Sequence, residues 1–218
     1  MNLLFDIDDT LFPSSEFSAL ARKNAINAMI GMGLEIDYAQ LNDRLTAIIS
    51  EKGSNYPKHF DDLCASFDVK RPGRFIAAAV AAYHDTKASI APYPKAPLTL
   101  FKLKENHHLF VATNGSSVKQ WDKLIRLGLA FYFEKVFVSE DIGRKKDAEF
   151  YNIIVGNLKC SPSECMMVGD REDSDIAPAK EAGLMTVRVL KGKHADEPST
   201  ADHTISDIGE LLQIMKNL

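Results

Sequence analysis

An α/β fold is predicted, a parallel sheet covered by helices with an all-helical insertion directly after the first strand. Two features carry the prediction. Short runs that are apolar on both faces end in polar loops and alternate with helical repeats, which is the pattern of a helix-covered parallel sheet. The stretch from about 12 to 91 departs from this, with helical periods and no strand pattern.

Leu3, Leu4, Phe5 and Ile7 read as a buried first strand, with acidic residues at its C-terminal end. The insertion follows. Phe17, Leu20, Ala21, Ala25, Ala28 and Met29 keep a helical period. Leu41, Leu45, Ile48 and Ile49 keep a second after Asp37, a capping residue type, and Phe75, Ile76, Ala79, Ala82 and Tyr83 a third after Pro72. Pro92-Tyr93-Pro94 marks the return to the core. The expected boundaries are 1–14 and 90–218 for the core and 15–89 for the insertion.

Four further strands are expected. Leu109–Ala112 leads into Thr113-Asn114-Gly115, and Val136–Val138 into Ser139-Glu140-Asp141. Met166–Val168 leads into Gly169-Asp170, and Met185–Val189 into Leu190-Lys191-Gly192. Between them, Val118, Trp121, Ile125 and Leu129 repeat at helical spacing, as do Phe150, Ile154 and Leu158 after the N-cap candidate Asp147. Ile176, Ala179 and Lys180 suit a short helix closed by Gly183, in which Pro178 is tolerable only near the first turn.

Composition narrows the function. The 218 residues suffice for one domain and an insert. The net charge of −4 gives no reason to expect a nucleic-acid partner. No window is long and apolar enough for a membrane span. Cys64, Cys160 and Cys165 lack disulfide or metal-site spacing and read as reduced thiols in a cytoplasmic protein.

The chemistry is concentrated at strand ends, where open α/β sheets hold their ligands. Asp6 and Asp8 are two apart and share a side of an extended chain, while Asp9 points away and suits a turn. Two carboxylates so placed repel, and a Mg²⁺ ion between them would offset the repulsion. Asp6 could attack phosphorus, and Asp8 could protonate the leaving alkoxide and then activate water. Thr113, Asn114 and the backbone at Gly115 could hold phosphoryl oxygens at a helix start. Lys145 could neutralise phosphate and Asp6 as two anions meet, with Arg144 and Lys146 as neighbouring alternatives. Asp170 could add a metal oxygen, and Asp175 could orient it or hold a metal-bound water. Each segment alone also suits a solvated loop or turn. Together they supply the parts of phosphoryl transfer.

With these motifs the chain resembles the haloacid-dehalogenase superfamily of hydrolases, over nearly its full length. Asp6, Asp8 and Thr10 match the first motif, Thr113 the second, Lys145 in Gly143-Arg144-Lys145-Lys146-Asp147 the third, and Asp170 with Asp175 the fourth. The resemblance implies a doubly wound, Rossmann-like sheet with a helical cap after strand one. It implies a nucleophilic Asp6, an acid–base Asp8, and magnesium held by Asp6, the Asp8 carbonyl and Asp170. Lys146 stands where many relatives have proline, and Ser174 where many have asparagine. The whole pattern is similar to small archaeal magnesium-dependent phosphatases.

A phosphatase acting on a small phosphorylated metabolite is therefore expected. A phosphoglycolate-like acid, a triose or sugar phosphate and a nucleotide all remain open as substrates. A dehalogenase does not suit a site that keeps Asp8, Asp170 and Asp175. A phosphomutase of the same superfamily and a non-catalytic metal- or phosphate-binding regulator are the alternatives. The insertion is expected to cover the mouth of the site and set specificity, with Ser14, His59 and Lys87 as substrate contacts beside Thr10. Its apolar faces are compatible with a homodimer.

Overall fold

The computed structural model describes all 218 residues. They fall into two compact units, Met1–Ser15 with Ala91–Leu218, and Glu16–Ile90.

The first unit is built on a six-stranded sheet of order β3-β2-β1-β4-β5-β6, every pairing parallel. Its strands are β1 (Asn2–Phe5), β2 (His108–Thr113), β3 (Lys135–Val138), β4 (Cys165–Gly169), β5 (Met185–Val189) and β6 (His203–Ile205). The chain moves outward from β1 to β3 and then resumes on the other side of β1 with β4. That reversal opens a crevice at the C-terminal ends of the central strands. Leu3, Leu4 and Phe5 are fully buried because β1 has a strand on either side and covered faces. Phe5 registers with Val111 of β2 and Val168 of β4, so the loops after these three strands start side by side.

Helices α5 (Ala96–Lys104), α6 (Ser117–Arg126), α7 (Ser139–Ile142), α8 (Ala148–Leu158), α9 (Ala177–Glu181) and α10 (Leu211–Ile214) belong to the same unit. Phe150, Tyr151 and Ile154 of α8 pack with Leu4, Phe110, Phe137 and Met167 of the sheet. Asp147 caps α8, its carboxylate accepting the Phe150 N–H at 2.9 Å. Pro178 lies in the first turn of α9, where its missing N–H costs no helical bond.

One expected helix face is reversed. Val118, Trp121 and Ile125 of α6 are exposed by 78%, 41% and 66%, whereas Gln120 and Leu124 face inward. The period was real, but the Val118 stripe lies on the outer face. Gln120 is drawn in by a polar partner, its Nε2 donating to the Asn114 carbonyl at 2.7 Å.

The second unit has its own core. Helices α1 (Ser14–Gly31), α2 (Tyr38–Lys52), α3 (His59–Ser66) and α4 (Gly73–Ala88) supply its secondary structure. Ile26 and Met29 of α1 meet Leu41, Leu45 and Ile48 of α2, Leu63 of α3, and Phe75 and Ala79 of α4. Asp37 caps α2 through the Ala39 N–H at 2.8 Å. The sheet and helical insertion give the chain an α/β Rossmann-like fold with a helical cap after its first strand. No helix is long and apolar enough to cross a membrane. The three cysteines are free thiols; Cys64 and Cys165 are buried, and burial first, then Cys160, pushes the Cys165 thiol up to about 12.

Candidate active site

Asp6 is the first residue beyond β1, and its N–H donates to the Val168 carbonyl at 2.9 Å, carrying the sheet ladder one step further. The chain then turns tightly, with the N–H groups of Thr10, Leu11 and Phe12 all directed to the Ile7 carbonyl. Asp9 takes a left-handed conformation, φ 51°, within this turn. Its carboxylate points away from Asp6 and accepts from the Ser15 N–H at 2.9 Å and the Ser15 hydroxyl at 2.5 Å. Asp9 thus pins the loop to the start of α1.

Asp170 occupies the corresponding place after β4. A five-residue π-helical turn, Glu172–Ile176, then brings Asp175 back under the same strand end. Gly169 makes this approach feasible: a Cβ there would lie 2.4 Å from the Asp175 carboxyl carbon. Asp6, Asp170 and Asp175 are all buried and place carboxylate oxygens within 4.8 Å of one another.

Lys146, not Lys145, is the cation that meets them. Its Nζ donates to Asp6 Oδ1 at 2.7 Å, to the Ala112 carbonyl at 3.3 Å and to Asp175 Oδ1. Lys145 is exposed on the preceding loop position. The local chain explains the correction. Gly143 ends α7 in a left-handed conformation, and Arg144 turns outward to pair with Asp147 at 2.6 Å. The Asn114 side-chain oxygen then accepts the Lys146 N–H at 3.0 Å, drawing that residue inward.

Burial pushes Asp6 up to about 6; Lys146 opposes that rise, while Asp175 and Asp8 add to it. Burial also drives Asp170 up to about 9, helped by Asp6, Asp175 and Asp9. Desolvation works against a charged Lys146, but Asp175 and Asp6 outweigh it and hold the ammonium well above the usual lysine range. Three buried carboxylates against one ammonium leave negative charge in surplus. An oxygen-only donor set with that surplus fits a hard divalent cation.

Thr113 is buried at the end of β2. Asn114 is committed to Lys146 and Gln120, and the Gly115 N–H donates to the Ser139 hydroxyl at 2.9 Å. Thr10 is fully buried in the first turn, with no protein partner for its hydroxyl. Ser14 opens α1, and its N–H donates to the Phe12 carbonyl. His59 and Lys87 belong to the helical unit, the first with its ring Nε2 2.9 Å from the Gly53 carbonyl and the second in the last turn of α4.

Lys123 was missed by sequence reasoning. Its Nζ donates to both oxygens of Asp8, each at 2.7 Å. On α6 it is one basic residue among several, and only its side-chain exposure of 17% separates it from an ordinary surface lysine. Tyr151 is another unmarked support, its hydroxyl donating to the Ser174 carbonyl at 2.8 Å inside the acidic turn.

Residues 3–189 match the haloacid dehalogenase-like hydrolase family, and the chain belongs to that family. It is 44% identical over 221 residues to a glyceraldehyde 3-phosphate phosphatase of Methanocaldococcus jannaschii, covering 99% of this chain and 97% of that one. A protein of the same name from Methanopyrus kandleri is 42% identical over 226 residues, again covering 99% and 97%. Among solved structures, a magnesium-bound putative hydrolase from Bacillus subtilis gives a TM-score of 0.72 at 23% identity, covering 98% of this chain and 97% of that one. That last likeness is one of fold.

Proposed function

We propose that the protein is a magnesium-dependent phosphatase that hydrolyses a small phosphomonoester through an aspartyl-phosphate on Asp6. The observation that carries this reading is the buried cluster in which Asp6 lies with Asp170 and Asp175 while Lys146 holds one of its oxygens.

The Lys146 bond leaves the second Asp6 oxygen for attack on phosphorus. The bond from that oxygen to phosphorus forms as the bond to the leaving alkoxide breaks. Asp8 protonates the departing oxygen and then takes a proton from the water that attacks the phosphoryl group, regenerating Asp6 and releasing phosphate. Lys146 lowers the repulsion between Asp6 and the incoming dianion, and the Thr113 hydroxyl gives the phosphoryl oxygens a hydrogen-bond donor. Lys123 must share or surrender Asp8 for the proton to move, because it engages both oxygens at rest. Asp6 and Asp170, with the Asp8 carbonyl and Asp175 beside them, would hold magnesium, which when bound would supply positive charge to the phosphoryl oxygens.

Triose phosphates are the first substrate class to try, since two relatives above 40% identity carry the name glyceraldehyde 3-phosphate phosphatase. The test is a phosphate-release panel of glyceraldehyde 3-phosphate, dihydroxyacetone phosphate, phosphoglycolate, hexose phosphates and nucleotides. Magnesium is supplied, and Asp6→Asn serves as the blank. Highest kcat/KM on a triose phosphate supports the assignment; equal rates across the panel contradict it.

A further inference from the structure

Arg188 is fully buried in β5, in register with Gly169 and so beside the start of the acidic turn. Its Nε donates to the Asp170 carbonyl at 3.0 Å. Its two Nη atoms reach the carbonyls of His194 at 2.6 Å, Pro198 at 2.7 Å and Glu197 at 3.1 Å. A buried guanidinium is costly to desolvate, and here its shortest bonds go to neutral carbonyls, with the carboxylates of Glu172 at 3.5 Å and Glu197 at 3.9 Å farther off. An aliphatic side chain would fill the same core position without that cost. The arginine therefore calls for another explanation.

The Asp170–Arg171 peptide supplies one. Its carbonyl accepts from Arg188, and its N–H donates to Asp175 Oδ2 at 3.0 Å. One peptide plane is held from both sides, and it connects two of the three clustered carboxylates. Rotating it would break both bonds and displace Asp170 and Asp175 together. The strap formed by residues 192–200, whose carbonyls Arg188 grips, adds a second hold, because Glu172 accepts from the Ser199 hydroxyl at 2.9 Å and the Thr200 N–H at 3.1 Å. At its other end the strap passes against the first loop, where a Cβ on Gly192 would lie 2.3 Å from Asp9 Oδ2.

We propose that Arg188 is a positioning residue that sets the Asp170–Arg171 peptide, and with it the geometry in which Asp170 and Asp175 receive a divalent cation. This rests on the reading of those carboxylates as the metal site. The planar fork of arginine is what the arrangement uses; a lysine supplies charge without the fixed spread of donors.

Arg188→Lys and Glu172→Ala test it in the full-length protein, by two readouts. The first is hydrogen–deuterium exchange of the segment 170–176 in EDTA, with β2 as internal control. The second is the magnesium concentration at half-maximal thermal shift, together with kcat at saturating magnesium. Arg188→Lys is expected to exchange faster in 170–176 and not in β2, to need roughly ten- to a hundredfold more magnesium, and to regain most of its kcat when magnesium is raised. Glu172→Ala, partly exposed and so less disruptive, is expected to move both readouts the same way by less. If Arg188→Lys does not fold, Glu172→Ala decides. Unchanged exchange in 170–176 with an unchanged magnesium midpoint overturns the proposal. A wild-type protein with no magnesium-induced shift contradicts the metal reading instead, and the exchange arm still decides the role of Arg188.

Discussion

Two adjacent lysines, chemically equal in sequence, have opposite fates. Lys145 faces solvent, while Lys146 spends its ammonium on Asp6, Asp175 and the Ala112 carbonyl. Replacing Lys146 by methionine is expected to lower kcat/KM by about 10²- to 10³-fold, the scale of losing one aimed donor from a buried site. Lys145→Met is expected to change it by less than about twofold, a solvent-facing charge being screened. Steady-state phosphate release separates the two; equal losses would contradict the assignment. Asp8 carries a different expectation. As the proposed proton donor to the leaving group, it should matter most for an alkoxide and least for a leaving group that departs as an anion. Asp8→Asn is therefore expected to cost about 10²- to 10⁴-fold on an alkyl phosphate and measurably less on p-nitrophenyl phosphate. Equal losses on both substrates would argue that Asp8 acts only in the second, hydrolytic step.

The loop after β4 shows how an element can oppose the stability of its own fold. Asp170 is held near 9, whereas an ordinary aspartate lies near 3.8. Between these values the unfolded chain has released the proton and the folded chain retains it. Metal-free protein therefore loses stability as pH climbs through that window. Asp170→Asn removes the penalty. In EDTA at neutral pH it is expected to melt several degrees above wild type, at about 2–4 °C per kcal/mol for a chain of this size. It is also expected to show a flatter dependence of melting temperature on pH and to lose the magnesium-induced gain. A variant that melts below wild type in EDTA would show that the raised proton affinity of Asp170 does not oppose folding. Gly169→Ala bears on the same loop: with its new Cβ 2.4 Å from the Asp175 carboxyl carbon, Asp175 must shift. Such displacement is expected to cost about 10²-fold in kcat/KM.

Much of this element was readable beforehand. An apolar run ending in Gly169-Asp170 and the apolar run before Asp6 identify two strands and their acids, because a central parallel strand must be apolar on both faces. The edge strand His203–Ile205 has one buried residue, Ile205, and left no such mark. Helix α3 buries only Leu63 and Cys64 over its eight residues, too few to show a period. The choice of Lys146 over Lys145, and the parts played by Lys123 and Arg188, were not legible for a different reason: each acts through a partner more than 15 positions away, on a strand or loop that local pattern does not connect to it.

At the scale of the molecule, the named chemistry belongs to one of the two units. Asp6, Asp8, Thr113, Lys123, Lys146, Asp170, Asp175 and Arg188 all lie in the unit made of Met1–Ser15 and Ala91–Leu218. The sheet order explains why so few residues suffice. Placing β4 beside β1 sets the Asp6 and Asp170 loops next to each other, although 163 positions separate the paired residues Phe5 and Val168. The helical unit has a separate apolar core built from its four helices. Magnesium should act on the first unit by offsetting its surplus of buried negative charge. Millimolar magnesium is expected to raise the wild-type melting temperature, and EDTA to reverse the gain and abolish phosphate release; activity that survives EDTA would exclude the metal-dependent route. The central claim is that the phosphoryl group passes through Asp6, and rapid quench with acid followed by mass analysis of the N-terminal peptide in ¹⁸O-water tests it most directly. The account predicts one phosphoryl group on Asp6 during turnover, solvent oxygen in the released phosphate, and neither in Asp6→Asn. Full phosphate release by Asp6→Asn, with no phosphorylated peptide in wild type, would contradict it.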